Sequence, residues 1–171
     1  MTSSDPEQKL SDLIAFQCVL VALRGVGADP SEEMLWHTLL ATLVEQYGFR
    51  RAWYGRLAGN FIRPAIAAPM NAPCQEDLPP EIEESSPLLR NAGLVLPVSV
   101  EGRVEGKLII HADGPVESGL AEQIRILTSE AETILGERRS RLRNEEALKQ
   151  ARWQAEIRRP REELLPCRHE S

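Results

Sequence analysis

Side chains able to do chemistry are few in this chain and widely spaced. The three histidines, His37, His111 and His169, fall on a predicted helix, at a predicted strand end and in the C-terminal tail. No carboxylate or cysteine stands beside any of them at metal-ligand spacing, so no metal site is expected. His111 reads as a partly exposed histidine that could line a pocket. The cysteines, Cys18, Cys74 and Cys167, are too scattered for a disulfide framework. No Gly-rich phosphate loop, Ser/His/Asp set or pair of carboxylates at a recognisable spacing appears, so catalysis by this chain is not expected. The polar candidates for holding a small molecule are Tyr54, Arg56 and Arg63. Strand alternation puts Tyr54 and Arg56 on the face opposite Trp53 and Leu57. A guanidinium there could grip a carboxylate or phosphate through two parallel N–H donors, or serve only as a solvated charge on a sheet edge.

Composition narrows the setting. A chain of 171 residues, 42% apolar and 27% charged, fits one globular domain with something added. The longest apolar stretch, Leu13 to Leu23, covers 11 residues and includes Gln17. That is too short to span a bilayer, so no membrane insertion is expected. The start, MTSSDPEQK, lacks the basic and small-residue features of a secretory signal, and a reducing cytoplasm fits the cysteine usage. Net charge is −6, with +3 on residues 136–171 and −9 on the remainder. An acidic folded part has no positive face to displace counterions from phosphates, which excludes nucleic acid as the expected partner.

The elements that must position these side chains follow from periodicity. Leu10, Leu13, Ile14, Leu20, Val21 and Leu23 recur at helical spacing from Pro6 to Arg24, with Ser4 or Asp5 as cap. A second helix is predicted over Ser31 to Tyr47. Asp29 caps it, Pro30 takes the first helical position, Glu32 completes a capping box and Gly48 ends it. Its stripe is Leu35, Trp36, Leu39, Leu40, Leu43 and Tyr47. The period then changes. Arg51 to Leu57 and Phe61 to Ala68 read as a hairpin turning at Gly59-Asn60, with Pro64 marking an edge or irregular strand. Residues 69–92 form a long proline-rich, acidic connection, with a short helix expected around Glu81 to Leu89.

A second hairpin is predicted from Leu94 to Val100 and Val104 to Ala112, turning at Glu101, Gly102 and Arg103. Val104, Gly106, Leu108 and Ile110 should share one face, Gly106 letting a helix approach, while Lys107, Ile109 and His111 face the other way. Ser118 can cap a last helix. Its positions Leu120, Ile124, Leu127, Ala131, Ile134 and Leu135 begin with steps of four and three, as in a coiled-coil seam, and Leu142, Ala147, Leu148, Ala151 and Ala155 continue more weakly to Pro160. About 40 residues at ~1.5 Å each make a rod of roughly 60 Å, too long for a small domain to bury. The rod must meet another helix, most simply its own copy in a parallel dimer, or connect to a further module. A homodimer is expected through the first and last helices, with Leu13, Leu20, Leu120, Ile124, Leu127, Ala131, Ile134 and Leu142 at its interface.

This order of elements, with LVLPVSVEGRVEGKLIIHAD as a closing hairpin and YGFRRAWYGRLAGNFIRPAIAA as the first hairpin and preceding helix end, resembles the GAF domain, a PAS-like sensor fold. The likeness covers about residues 20 to 137. It implies an α+β fold: a central antiparallel sheet with N-terminal helices and a long C-terminal helix. The implied division is 1–24, an N-terminal dimerisation helix; 25–137, a GAF-like sensor domain; 138–159, a signalling helix or coiled-coil linker; and 160–171, an irregular tail. In the family the ligand pocket lies on the sheet face roofed by the long connection. The resemblance thus implies Tyr54, Arg56, Arg63, Cys74, Ile109 and His111 as ligand-binding residues for an unidentified small molecule, with no cofactor assigned. Some relatives attach a bilin or use redox cysteines near the position of Cys74, yet the Asp-Ile-Pro-like segment, Cys-His pair or cysteine cluster those roles need is missing. The Asn-Lys-Phe-Asp-Glu motif of cyclic-nucleotide binders is missing too. Two alternatives to a sensor are a free methionine sulfoxide reductase of GAF fold, which needs paired cysteines facing the pocket, and a ligand-free structural dimerisation domain.

The segment RSRLRNEEALKQARWQAE resembles the helical linker that leads into the catalytic core of bacterial sensor histidine kinases, part of two-component systems. After Glu156 the likeness stops at IRRPREELLPCRHES, where Pro160 and Pro166 should break the helix. Codons can be chosen for Arg158 to Ser171 so that reading one base later gives AAHAKNSFLADMS, similar to the kinase segment AKSEFLANMSHE. The expectation is a truncated or frameshifted sensor kinase in which His169 has no kinase role.

Overall fold

The computed structural model describes residues 6–27, 30–69 and 78–162, the last four by backbone alone. In chain order the elements are helix α1 (Pro6–Arg24), helix α2 (Glu32–Tyr47), strands β1 (Arg51–Ala58), β2 (Phe61–Ala68) and β3 (Ile82–Glu83), the one-turn helix α3 (Pro87–Arg90), strands β4 (Leu94–Val100) and β5 (Arg103–His111), and helix α4 (Ser118–Glu162). The sheet is antiparallel with order β3-β2-β1-β5-β4, so the two hairpins join through β1 and β5. The expected α+β architecture is present. Two compact units divide the chain at residue 136, the first containing the sheet and the second covering 137–171.

Local chemistry explains the element ends. Ser31, not Asp29, caps α2: its backbone is extended and its Oγ accepts the Met34 N–H at 3.1 Å. Pro30 therefore precedes the cap and Glu32 is the first helical residue, while Asp29 and the candidate caps Ser4 and Asp5 lie outside the described residues. Gly48 takes φ 67°, and its N–H reaches Val44 O at 3.0 Å. The first hairpin turns at Gly59-Asn60, where Gly59 alone takes positive φ. The second turns on Glu101 and Gly102, both at positive φ, and Arg103 belongs to the strand as the partner of Val100.

Two bulges shift the side-chain alternation. Tyr54 pairs with Ile66 but Gly55 with Pro64, leaving Ala65 over, and the missing Pro64 N–H falls at this irregular edge. Val98 pairs with Gly106 but Ser99 with Val104, leaving Glu105 over. Val104 consequently drops out of the face it was expected to share with Leu108 and Ile110 and is 54% exposed. The Ser99 N–H at this bulge donates to Glu132 Oε1 of α4 at 2.6 Å. The helix expected over 81–89 is replaced by β3, paired with Phe61 and Ile62, and then by α3. Pro87 lacks an N–H and tolerates only the first turn of a helix, so the helix begins there with Ser86 as cap. Ser118 is likewise the first residue of α4 rather than its cap. At its other end α4 continues through Pro160 to Glu162, because a proline in the last turn deletes only one backbone hydrogen bond.

One core lies between the sheet and the helices. Tyr54, Ala68, Leu96, Val98, Leu108 and Ile110 pack there against Val19, Leu23, the α2 stripe and Ile124, Leu127, Ala131 and Leu135. This corrects the expected dimer interface. Ile124, Leu127 and Ala131 are fully buried within the unit, and Leu20, Leu120 and Ile134 are half-buried against the same core. A three-four stripe fits a sheet as well as it fits a second helix. Of that set only Leu13 and Leu142 remain exposed. On α1 the core-facing residues are Ala15, Val19 and Leu23, while Leu10, Leu13, Ile14 and Val21 are exposed.

Candidate functional site

Alternation along β1 and β5 turns Tyr54, Leu108 and Ile110 toward the helices and Arg51, Trp53, Lys107, Ile109 and His111 to the opposite face. The connection covers that second face: Leu78, Ile82, Leu88, Leu89 and Ala92 pack with Trp53, Ile62, Ala67 and Ile109. Lys107 Nζ holds Glu84 Oε1 at 2.9 Å and ties the connection to the sheet. Gly55 leaves room for this packing, since a Cβ there would stand 2.3 Å from Ile62 Cγ2 and 3.0 Å from the Trp53 ring.

At one end of this face three polar side chains meet. Arg51 and His111 are direct cross-strand partners. The Trp53 indole N–H donates to His111 Nε2 at 3.1 Å, which makes Nε2 the acceptor and leaves the ring proton of the neutral imidazole on Nδ1. Burial, then the Arg51 and Arg50 guanidiniums, hold the His111 pKa below its ordinary value. Arg50 has its own partner, Asp113, at 3.7 Å. Arg51 has none for two of its atoms: Nε and Nη2 are buried and make no hydrogen bond.

The structure splits the expected ligand set between the two faces. Ile109 and His111 belong to the roofed face, but Tyr54 lies in the helix-side core, 2% exposed, with its ring stacked on Trp36 at 4.4 Å. Arg56 points the same way and pairs with Glu32 at 3.2 Å, and Arg63 donates from Nε and Nη2 to Glu81 Oε1 at 2.9 and 2.7 Å. Their guanidiniums are thus occupied, because carboxylates from α2 and the connection lie within reach. Cys74, Cys167 and His169 fall outside the described residues; among the described ones Cys18, exposed on α1, is the free cysteine. His37 lines a separate open groove of about 410 Å³ between α2 and β2. Sequence reasoning missed Arg51 and Trp53 as site residues, although the parity that placed Ile109 and His111 together places these two opposite them.

Gly106 also has a different role from the one expected. A Cβ on it would lie 2.5 Å from the Tyr54 ring and from the Gly55 carbonyl oxygen, so it makes room for Tyr54 rather than for a helix.

No protein-family model and no curated protein sequence matches the chain. Solved structures do. The GAF domain of a phosphoenolpyruvate-protein phosphotransferase (ptsP) from Coxiella burnetii superposes with a TM-score of 0.59 at 10% identity, over 77% of this chain and 96% of that one. The fold is a GAF fold. A GAF domain of A. aeolicus nlh2 gives 0.52 at 15% identity over 76% and 98% of the two chains. Free methionine-R-sulfoxide reductase from Neisseria meningitidis, in complex with its substrate, gives 0.57 at 15% identity over 82% and 96%. In this GAF fold Arg51, Trp53 and His111 occupy the sheet face beneath the long connection.

Proposed function

We propose that the chain is a regulatory, small-molecule-sensing and dimerisation module of bacterial signal transduction, with residues 25–137 as the sensor and 138–159 as a signalling linker. The observation that carries this reading is the Arg51, Trp53 and His111 group on the roofed face of a GAF fold. A buried guanidinium edge without a protein partner is costly to the fold and useful to a ligand. No helix among the described residues is long and apolar enough to cross a membrane, in keeping with a module acting in the cytoplasm.

The dimer is proposed through the exposed α1 stripe, Leu10, Leu13, Ile14 and Val21, and through Leu142, Leu148, Trp153 and Ile157 of the second unit. A ligand acts on such an assembly only by favouring one packing of its helices over another. The kinase setting rests on the linker resemblance alone. Sequencing the gene tests it: a kinase-like continuation one base later past Glu156 supports a frameshifted sensor kinase, and any other continuation removes it. Native mass spectrometry of the full chain purified from cells tests the module itself. A dimer carrying a small molecule is expected, and an empty dimer would leave only a structural role.

One observation favours a second reading. The fold is shared with a methionine sulfoxide reductase. Reduction of free methionine sulfoxide by the full chain, abolished by blocking its thiols, would establish the enzyme. Cys18 on α1 argues against it.

A further inference from the structure

Arg51 presents a specific, unfilled hydrogen-bonding edge. Nε–H and the adjacent Nη2–H of a guanidinium point in parallel along one side of the plane, the pair that grips a two-oxygen anion side-on. Both are buried and unpartnered here, on a residue that is otherwise half-buried, so an occupant of this edge must displace the side chains that cover it. The neighbouring charges are committed elsewhere: Arg50 to Asp113, and Lys107 to Glu84. None of the described ion pairs includes Arg51. Buried charged donors are almost always satisfied in folded proteins, and an exception asks for an occupant.

The surroundings select the class of occupant. His111 is neutral, with its Nδ1–H still a donor, and Trp53, which reaches His111, belongs to an apolar cluster with Ala67, Val95, Leu89 and Ile109. One guanidinium balances one negative charge. A phosphate dianion would bring a second charge and further oxygens into apolar surroundings that have nothing to meet them, whereas a carboxylate uses the fork fully and matches its single charge.

The geometry points to Arg51 as the anchor of a small organic carboxylate, held by its Nε and Nη2 edge beside His111. This rests on the sensor reading and names the ligand class of that same site. The experiment is an NMR titration of the full chain with butyrate, benzoate and inorganic phosphate, following the Arg51 Nε–H and Trp53 Nε1–H resonances. Saturable shifts with either carboxylate are expected below about 20 mM, well above a millimolar Kd. In Arg51→Met, affinity should fall by about tenfold or more, the loss expected for a charged hydrogen-bonded contact. Unliganded Arg51→Met should melt no lower than the parent, because removing orphaned donors removes a cost. Absence of saturation by both carboxylates, tighter binding of phosphate, equal binding by Arg51→Met, or a melting temperature several degrees lower in that variant would each overturn the assignment. A neutral compound found on the native protein without Arg51 shifts would sink this inference and spare the sensor reading. Carboxylate binding by a chain that is monomeric with and without ligand would do the reverse.

Discussion

The ring of Tyr54 fills the space that a side chain on Gly106 would need: a Cβ there would stand 2.5 Å from ring Cε2 and 2.8 Å from the phenol oxygen. The Gly55 carbonyl, also at 2.5 Å, is backbone and cannot rotate away. Gly106→Ala is therefore expected to destabilise the domain by about 2–3 kcal/mol, as overpacking does in a dense core. Urea unfolding reads this as a lower midpoint, and an unchanged midpoint would mean the ring does not lie there.

Leu127 and Arg143 separate core from surface on the same helix. Leu127 is fully buried against the sheet, so Leu127→Asp places an unpaired carboxylate in the core and should unfold the domain, at a cost of several kcal/mol. Arg143 is exposed, and Arg143→Asp should change stability by under ~0.5 kcal/mol. Circular dichroism melts check both, and equal effects would contradict the burial of the α4 stripe.

These contrasts show what the sequence could and could not specify. Turn and cap signals with a local cause were legible: Gly48 ends α2, Gly59 and Gly102 turn the hairpins, and Pro64 marks the irregular edge. Alternation also paired side chains correctly, keeping Tyr54 with Arg56 and Ile109 with His111. Parity is symmetric, however, and does not say which face the helices cover, so alternation alone allows Tyr54 a ligand although the fold packs it on Trp36. The α4 stripe was ambiguous for a similar reason, since a sheet and a partner helix accept the same three-four spacing. On α1 the smaller Ala15 and Val19 face inward and Leu13 and Ile14 outward, a choice made by the fit against α2 and the sheet. The bulge at Glu105, which exposes Val104, has no local signal. Arg51 has no local sequence signal of a site, because its two unpartnered donors arise only from the packing of the fold around it.

Tyr47 offers a titration with a definite sign. Burial first, then the charges of Asp12 and Cys18, push its phenol up to about 12 from 10. The folded state therefore resists forming the phenolate. Stability supplied by Tyr47 is present below pH 10 and is lost as pH rises toward about 12. Ultraviolet difference titration against Tyr47→Phe should show the missing tyrosine titrating near the upper value; a midpoint near 10 would place the phenol in water.

The exposed α1 stripe gives a test of assembly independent of folding. Leu13 and Ile14 are 52% and 56% exposed and line a shallow apolar groove with Cys18 and Val21. Leu13→Glu with Ile14→Glu should turn the proposed dimer into a monomer by light scattering while shifting the melting temperature little. A dimer that survives both changes would exclude α1 from the interface.

His111 and Trp53 couple protonation to a reporter. The folded His111 pKa lies below the ordinary 6.5, through burial and then Arg51 and Arg50, so the fold favours the neutral ring. Above pH 6.5 both folded and unfolded chains carry it neutral and its contribution is complete. As pH falls from there toward the folded pKa, the unfolded chain takes up a proton that the folded chain refuses, and stability declines. Once Nε2 is protonated it can no longer accept the Trp53 N–H, so the indole loses its partner in the same step. The stability difference between the parent and His111→Gln, measured by denaturant unfolding across pH 5 to 8, should shrink as pH falls. The Trp53 Nε1–H resonance should shift over the same range in the parent alone. Stability curves that run parallel, or an indole resonance that stays fixed while His111 titrates, would show that the bond is not made.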